Sequence, residues 1–304
     1  MIRICMVGTG YVGLVSGACM ADFGHRVTCV DINAERIAGL RTGVIPFYEP
    51  GLDTLVLKNV AEERLDFTTS LAEGMREADI VFIAVQTPQS ASGEADLQYV
   101  LKVSEEIGTL LDDYKVIVTK STVPVGTNRE LQKVIRSKLR GDVAFDMASN
   151  PEFLREGSSI EDFMRPDRVV IGVETERSEE LMREIYRPLY LLETPMVKTG
   201  IETAELIKYA SNSFLAVKIS FINEIARLAE AVGADVRDVA KSMGLDKRIG
   251  SKFLHPGLGF GGSCLPKDTN AIVHIAREAG TEMTIVDAAI GVNREVRNRE
   301  PGSI

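Results

Sequence analysis

The chain opens with a short apolar run, Ile2 to Val7, rich in strand-forming residues. It then passes through three closely spaced glycines into Tyr11 to Phe23, where small and apolar residues dominate. This order predicts a strand, a tight turn and a helix. Gly24 and His25 stop the helix, Arg26 to Val30 supplies a second apolar strand, and Asp31 stands at its carboxyl end. Further strands are predicted at Ile80 to Val85, Val116 to Thr119 and Val143 to Ala148, separated by helical segments near Ser70 to Glu77, Leu97 to Leu111 and Asn128 to Leu139. Strands that alternate with helices call for a parallel sheet covered on both faces, because each crossover lays a helix against the sheet.

Beyond about Asn150 the pattern changes. A short α/β stretch leads into Glu202 to Val232, a helix-compatible run of about thirty residues with no proline and no glycine before Gly233. Such a length exceeds that of an ordinary globular helix and suggests a spine between domains or subunits. The remainder is mostly helical apart from Phe253 to Pro266, where four glycines and two prolines force a loop. Glu300 to Ile304 follow the last helical pattern without a closing element. At roughly 150 residues per domain, a chain of 304 residues allows two domains. The expected division is a Rossmann-like, doubly wound parallel sheet over residues 1–195, followed by a mostly helical domain over residues 196–304.

Hydrophobic residues make up 45% and charged ones 26%, which fits a globular chain with a real core and excludes wholesale disorder and fibrous repeats. A formal net charge of −9 argues against a broad grip on nucleic acid, so an anionic ligand must meet local basic groups or helix ends. Cys5, Cys19, Cys29 and Cys264 form no CxxC pair and lack an accompanying histidine spacing, so neither a disulfide framework nor a metal site is expected. Reduced thiols and a cytoplasmic setting follow. The apolar start has one early basic residue and is broken by Gly8, Gly10 and Gly13, unlike a signal peptide. No apolar run approaches the roughly 20 residues of a membrane span.

Gly8-Thr-Gly-Tyr-Val-Gly13 matches GxGxxG between a predicted strand and a predicted helix, the context in which the motif binds dinucleotides. The first glycine makes the turn, the second lets the backbone approach a pyrophosphate at the helix N-terminus, and the third permits close helix–sheet packing. Asp31 is placed to accept ribose hydroxyls, and its charge favours NAD over NADP. Arg36, one helical turn beyond, keeps a 2′-phosphate open as an alternative. Gln86-Thr-Pro88 and Ser121-Thr-Val-Pro124 stand at carboxyl ends of strands, where they fit either a ligand crevice or ordinary turns. In Asn150 to Glu156, Glu152 and Glu156 share one face if the segment is helical, as bases or as a solvated pair. Lys208 and Asn212 are also four apart, able to stabilise an oxyanion or to serve as a snorkelling lysine beside a capping amide. Cys264, on a glycine-rich loop near Lys267, reads as a reactive thiolate or as a small buried hydrophobe, and His255 as a plain loop residue.

Taken together, GTGYVGL from Gly8, STVPVGT from Ser121, NPEFLREG from Asn150, ELIKYASN from Glu205 and FLHPGLGFGGSCLPKD from Phe253 resemble the UDP-glucose/GDP-mannose dehydrogenase family. The resemblance runs through essentially the whole chain, and FLHPGLGFGGSC resembles the UDP-glucose branch more than the GDP-mannose or UDP-N-acetylmannosamine branches. It implies oxidation of the primary alcohol of UDP-glucose to the carboxylate in two hydride transfers to two NAD molecules. Cys264 is implied to hold the aldehyde as a thiohemiacetal and then a thioester. Lys208 and Asn212 are implied to stabilise oxyanions, and Thr122, Glu152 and Asp268 to position water and move protons. Gly8, Gly10, Tyr11, Val12, Gly13, Asp31 and Arg36 match the cofactor cradle, with Thr87 and Thr122 further along and Glu156 near the nicotinamide. Glu152, Phe153, Leu154, Lys208, Asn212, Phe253, Gly261 and Lys267 match the sugar-nucleotide pocket, and Arg248 an arginine that reaches across a dimer.

By the same resemblance, residues 196–304 are the central domain, which forms a homodimer through the long helix. A second Rossmann-like domain that binds the UDP end is expected to be absent from a chain ending at Ile304, so that catalytic residues are present while turnover is in question. Gln86 and Leu258 depart from the family pattern, and Leu258 bears on pocket shape. Three alternatives stay open: a dehydrogenase of GDP-mannose or another nucleotide sugar, a two-electron hydroxy-acid dehydrogenase that would not need Cys264, and a non-catalytic nucleotide-binding or dimerisation module. Nucleic-acid and membrane partners are not expected.

Overall fold

A computed structural model describes residues 1–90 and 95–298, and Glu300 to Ile304 lie outside the described residues. The chain divides into two units, Met1–Thr87 with Asp96–Lys208 and Pro88–Ala95 with Tyr209–Ile304. The apolar runs of the first unit become β1 (Arg3–Val7), β2 (Arg26–Val30), β3 (Leu65–Thr68), β4 (Ile80–Ile83), β5 (Lys115–Thr119), β6 (Phe145–Ser149), β7 (Val169–Gly172) and β8 (Met196–Thr199). They form one sheet in the order β3-β2-β1-β4-β5-β6-β7-β8. Every junction is parallel except β6–β7, where Ser149 pairs with Gly172 in the antiparallel sense.

The two-residue period of the strands explains why β1 and β4 are apolar on both faces. Ile4 and Met6 of β1 and Ile80 and Phe82 of β4 pack into one core layer, while Cys5, Val7, Val81 and Ile83 pack into the other. A strand with both faces buried has no polar side to alternate with. The covering helices are α1 (Tyr11–Asp22), α2 (Ala34–Arg41), α3 (Leu52–Ala61), α4 (Leu71–Met75), α5 (Gln98–Leu110), α6 (Thr127–Lys138), α7 (Ser159–Met164) and α8 (Glu176–Ile185). The pattern of apolar positions leaves α2, α3 and β3 unforeseen. Residues 150–158 are not helical, so Glu152 and Glu156 are not presented from one helical face. Gly157 takes φ +87°, outside helical geometry.

Two buried carboxylates tie distant segments to helix starts. Glu49 accepts from the N–H groups of Gly157 and Ser159 at 2.9 Å each, at the start of α7. Glu205 accepts from the N–H groups of Gly126 and Asn128 at 2.7 and 2.9 Å and from the Asn128 amide at 2.8 Å, so it caps α6. Glu205 lies on α9 (Ile201–Val232), a continuous helix of 32 residues that begins in the first unit.

The second unit is helical. The rest of α9 is joined there by α10 (Val236–Leu245), α11 (Leu265–Glu278) and α12 (Thr284–Arg297). Tyr209 packs with Ala271, Ile272, Val273 and Val286, and Ile222 with Ala240 and Leu254. Ser220 Oγ donates to the Ala289 carbonyl at 2.8 Å and pins α9 to α12. Among the described residues no helix is long and apolar enough to cross a membrane.

Replacing Glu205 by alanine would orphan two backbone donors of α6. The expected cost is about 2–4 kcal/mol, read as a lower urea midpoint, with Glu205→Gln closer to wild type because one acceptor oxygen remains.

Candidate active site

The turn between β1 and α1 is built as the glycine spacing requires. Gly8 sits at φ +104°, where a Cβ would lie 2.7 Å from the Ala84 carbonyl oxygen, and a Cβ on Gly13 would lie 2.0 Å from the Gly8 carbonyl oxygen. At Gly10 the space is open, and this residue begins α1 with no side chain capping the helix. The first-turn N–H groups, from Tyr11, Val12 and Gly13, therefore face the open side of the turn, which fits a pyrophosphate. Asp31 Oδ2 accepts from Thr9 N at 3.0 Å, Thr9 Oγ1 at 2.7 Å and Arg36 Nη1 at 3.1 Å, while Oδ1 accepts from Asn33 N at 3.0 Å. Burial pushes the Asp31 carboxyl up, but the bonds from Thr9 and Asn33 and the Arg36 charge outweigh it and hold it below the ordinary value. Thr87 Oγ1 donates to the Thr122 carbonyl at 2.8 Å and links the segments after β4 and β5.

Further along the sheet, Lys208 of α9 donates to Glu152 Oε1 at 2.8 Å, with both side chains almost fully buried, at 5% and 7% exposure. Leu154 N donates to Glu152 Oε2 at 2.6 Å, and the Lys208 ammonium lies 5.4 Å from the Phe153 ring centre. Burial alone would raise the Glu152 carboxyl. The Lys208 charge and hydrogen bond, the Leu154 N–H and the charge of Lys120 together bring it below the ordinary carboxylate value. Glu156 is exposed.

Behind this pair stands Lys120, a buried lysine that directly follows β5. Its ammonium donates to Asn150 Oδ1 at 3.0 Å and lies 3.5 Å from Tyr186 Oη and 5.7 Å from the Phe163 ring centre. Asn150 also receives Tyr186 Oη–H at 2.6 Å and gives its amide to the Val170 carbonyl at 2.8 Å. Burial, reinforced by Lys208 and opposed by Glu152, pushes the Lys120 ammonium down to about 8.

In the second unit, Asn212 of α9 donates to Asp268 Oδ2 at 2.6 Å, and Lys267 reaches Asp268 Oδ1 at 2.7 Å. Asp268 is buried on the first turn of α11. Cys264, the residue before α11, is exposed, whereas Cys5, Cys19 and Cys29 are buried. Its sulfur lies 3.6 Å from Ser263 Oγ, and Lys267 turns to Asp268. Phe253 takes a positive φ of 63°, Gly261 is exposed in the same loop, and Arg248 is exposed and paired with Asp246 at 2.6 Å.

The structure thus gathers Gly8 to Gly13 with Asp31 and Arg36, Thr87 with Thr122, Glu152 with Phe153, Leu154 and Lys208, and Asn212 with Lys267 and Asp268. Glu156 and Arg248 stand apart within their units. Sequence reasoning misses Lys120, Asn150 and Tyr186. One signal is available, a lysine at the end of an apolar strand, since a lysine there must be paired or neutral. Among the described residues no group of three or more His, Cys, Asp or Glu side chains is placed to hold a metal.

Residues 2–190 match the UDP-glucose/GDP-mannose dehydrogenase family NAD binding domain, and residues 202–295 match that family's central domain. UDP-glucose 6-dehydrogenase of Rhizobium meliloti is 55% identical over 96% of this chain and 67% of its own length. UDP-glucose 6-dehydrogenase TuaD of Bacillus subtilis is 52% identical over 98% of this chain and 64% of its own. Among solved structures, a UDP-glucose dehydrogenase of Pyrobaculum islandicum superposes with a TM-score of 0.93 at 42% identity, over 97% of this chain and 68% of that one. A GDP-mannose dehydrogenase of Pseudomonas aeruginosa gives a TM-score of 0.79 at 35% identity, over 97% and 69%. The chain spans about two thirds of the length of these relatives. With its glycine cradle inside the NAD binding domain and its Cys264 loop inside the central domain, the chain belongs to the UDP-glucose/GDP-mannose dehydrogenase family.

Proposed function

We propose that the chain oxidises the primary alcohol of UDP-glucose to the carboxylate of UDP-glucuronate, with Cys264 as the nucleophile that retains the aldehyde. One observation carries the reading: α9 bears Lys208, ion-paired with Glu152, and one turn later Asn212, hydrogen-bonded to Asp268. Buried polar side chains are costly to a fold unless paired, and buried, paired titratable groups of this kind concentrate at functional sites. Named relatives at 55% and 52% identity favour UDP-glucose as the substrate.

NAD, when bound in the cradle of Gly8 to Gly13 and Asp31, supplies the acceptor for each of the two hydrides. The chain's own groups do the rest. The Cys264 thiol adds across the aldehyde, forming a C–S bond while its proton goes to the oxygen. Loss of the carbon-bound hydrogen as hydride and of the hydroxyl proton leaves a thioester, and water then breaks the C–S bond and returns the thiol. Lys208 stabilises the oxygen as negative charge develops, and Asn212 offers the amide hydrogen not given to Asp268. Glu152, held ionised by Lys208 and Lys120, accepts protons, and Thr122 and Asp268 orient water. Phe153, Leu154, Phe253, Gly261 and Lys267 hold the sugar nucleotide, and Glu156 and Thr87 border the cofactor. Phe214, Phe221 and Leu228, exposed at seven-residue spacing on α9, support a homodimer through that helix, to which Arg248 contributes across the interface.

With UDP-glucose limiting and NAD in excess, NADH formed per substrate should approach two, the ratio that four-electron oxidation requires. A ratio of one points to two-electron chemistry, and none, with NAD still bound, to a nucleotide-binding module. Cys264→Ser should not complete the second oxidation, and acid formed at the wild-type rate by that variant would overturn the role of Cys264. Lys208→Met should lower kcat by roughly 100-fold or more, measured as initial NADH formation, because a preorganised cation is lost at the developing charge. Because the Lys120 ammonium sits near 8 when folded against an ordinary 10.5, the unfolded chain binds more protons between those values. Its contribution to stability therefore rises with pH across that window. Urea unfolding at pH 7.5 and pH 10 should show Lys120→Met losing that rise, on the order of 3 kcal/mol, and parallel pH profiles would contradict it.

A further inference from the structure

The loop from Phe253 to Cys264 has no regular structure, yet it is fastened at three points within the second unit. Leu254 packs in the core with Ile222 and Ala240. Gly257 N donates to Asn223 Oδ1 at 2.8 Å. At Phe260 both backbone groups are taken by one side chain: Phe260 N donates to Asn293 Oδ1 at 2.7 Å, and Asn293 Nδ2 donates to the Phe260 carbonyl at 3.0 Å. Asn293 lies on α12 and is 7% exposed.

A carboxamide presents a donor and an acceptor side by side, as a peptide group does, so Asn293 stands in for the neighbouring strand that this loop lacks. An ionised aspartate lacks the donor and alanine lacks both groups, so neither can close both bonds. The fit extends to Gly259, which takes φ +87° and where a Cβ would lie 2.2 Å from Asn293 Oδ1. Beyond the clamp only Gly261, Gly262 and Ser263 separate Phe260 from Cys264. A Cβ on either glycine would meet nothing within 4 Å, so these residues have no packing of their own to direct the chain. On the far side, the Cys264 carbonyl accepts from Asp268 N at 2.8 Å in the first turn of α11. The thiol is therefore suspended between two fixed points, α11 and the Asn293 clamp.

We propose that Asn293 is a positioning residue that sets the path of the Cys264 loop and so the reach of the thiol. Its meaning for catalysis rests on the reading of Cys264 as nucleophile. Because Cys264 is exposed and the other cysteines are buried, its rate of alkylation by iodoacetamide can be followed in the folded chain without turnover. Asn293→Ala, and the isosteric Asn293→Asp in case the first does not fold, should each change that rate at least about threefold well below their Tm, since the thiol no longer has one placement. A residue that only supports stability would lower Tm and leave the alkylation rate of the folded protein within about threefold of wild type, and that result overturns the proposal. If the rate shifts while Cys264→Ser still forms acid normally, the clamp stands and the nucleophile reading falls.

Discussion

The contact between Lys208 and Glu152 is a buried ion pair, and the segments around it are arranged to accommodate it. Moving either charge out of water costs several kcal/mol, and breaking a buried pair by removing one partner leaves the other uncompensated. The pair therefore demands a local geometry. Glu152 must reach α9 from a segment that is not helical, and residues 150–158, with Gly157 at positive φ, provide one. Its second oxygen must also be satisfied, and Leu154 N supplies the bond. Asn150, the residue before the proline, is held in turn by Lys120, Tyr186 and the Val170 carbonyl. A side chain that touches neither member of the pair thus fixes where the carboxylate begins.

The same economy governs the cofactor end. Asp31 is not a free acceptor waiting for a ribose, because its oxygens already bind Thr9, Asn33 and Arg36. These bonds draw the end of β2 to the glycine turn and set the distance between the carboxylate and the open start of α1. A carboxylate oxygen has more than one lone-pair direction, so bracing the turn and receiving a hydroxyl are compatible. Arg36, which as a free guanidinium would invite a 2′-phosphate, is instead bound to Asp31 at 3.1 Å. That pairing favours the ligand without the phosphate.

Legibility in the sequence followed the range of the interaction. The parallel sheet, α1 with its glycines and the length of α9 follow from local patterns, since a buried strand and a helix each show their period within a few residues. The ties from Glu49 to α7 and from Glu205 to α6 cross 108 and 79 positions, and no local pattern announces them. Lys120 was hidden for another reason: a buried lysine looks like a surface one until its surroundings are known. The expectation of Glu152 and Glu156 on one helical face fails because spacing specifies a face only once the helix exists, and residues 150–158 form none. The β6–β7 junction escaped because strand direction depends on the path of residues 150–168, which carry little periodicity.

Cys264 poses a problem that the rest of the molecule does not. A nucleophile, the role proposed for Cys264, must be reachable, so it cannot share the packing that excludes water from Cys5, Cys19 and Cys29, where burial pushes each thiol far up toward the inert neutral form. Exposure, however, removes the contacts that hold a side chain in one place, and the glycines that precede Cys264 in the loop remove more. Order must then come from backbone hydrogen bonds made by residues outside the loop. Asparagine suits that task because it can answer both groups of one peptide residue from a helix that is itself packed. Asn293 on α12 does so for Phe260, Asn223 on α9 adds a single bond from Gly257 N, and α9 and α12 are joined by Ser220 and the Ala289 carbonyl. The loop's order is thus borrowed from the helical core of the second unit, which explains how a segment with four glycines can carry a group whose usefulness depends on its position.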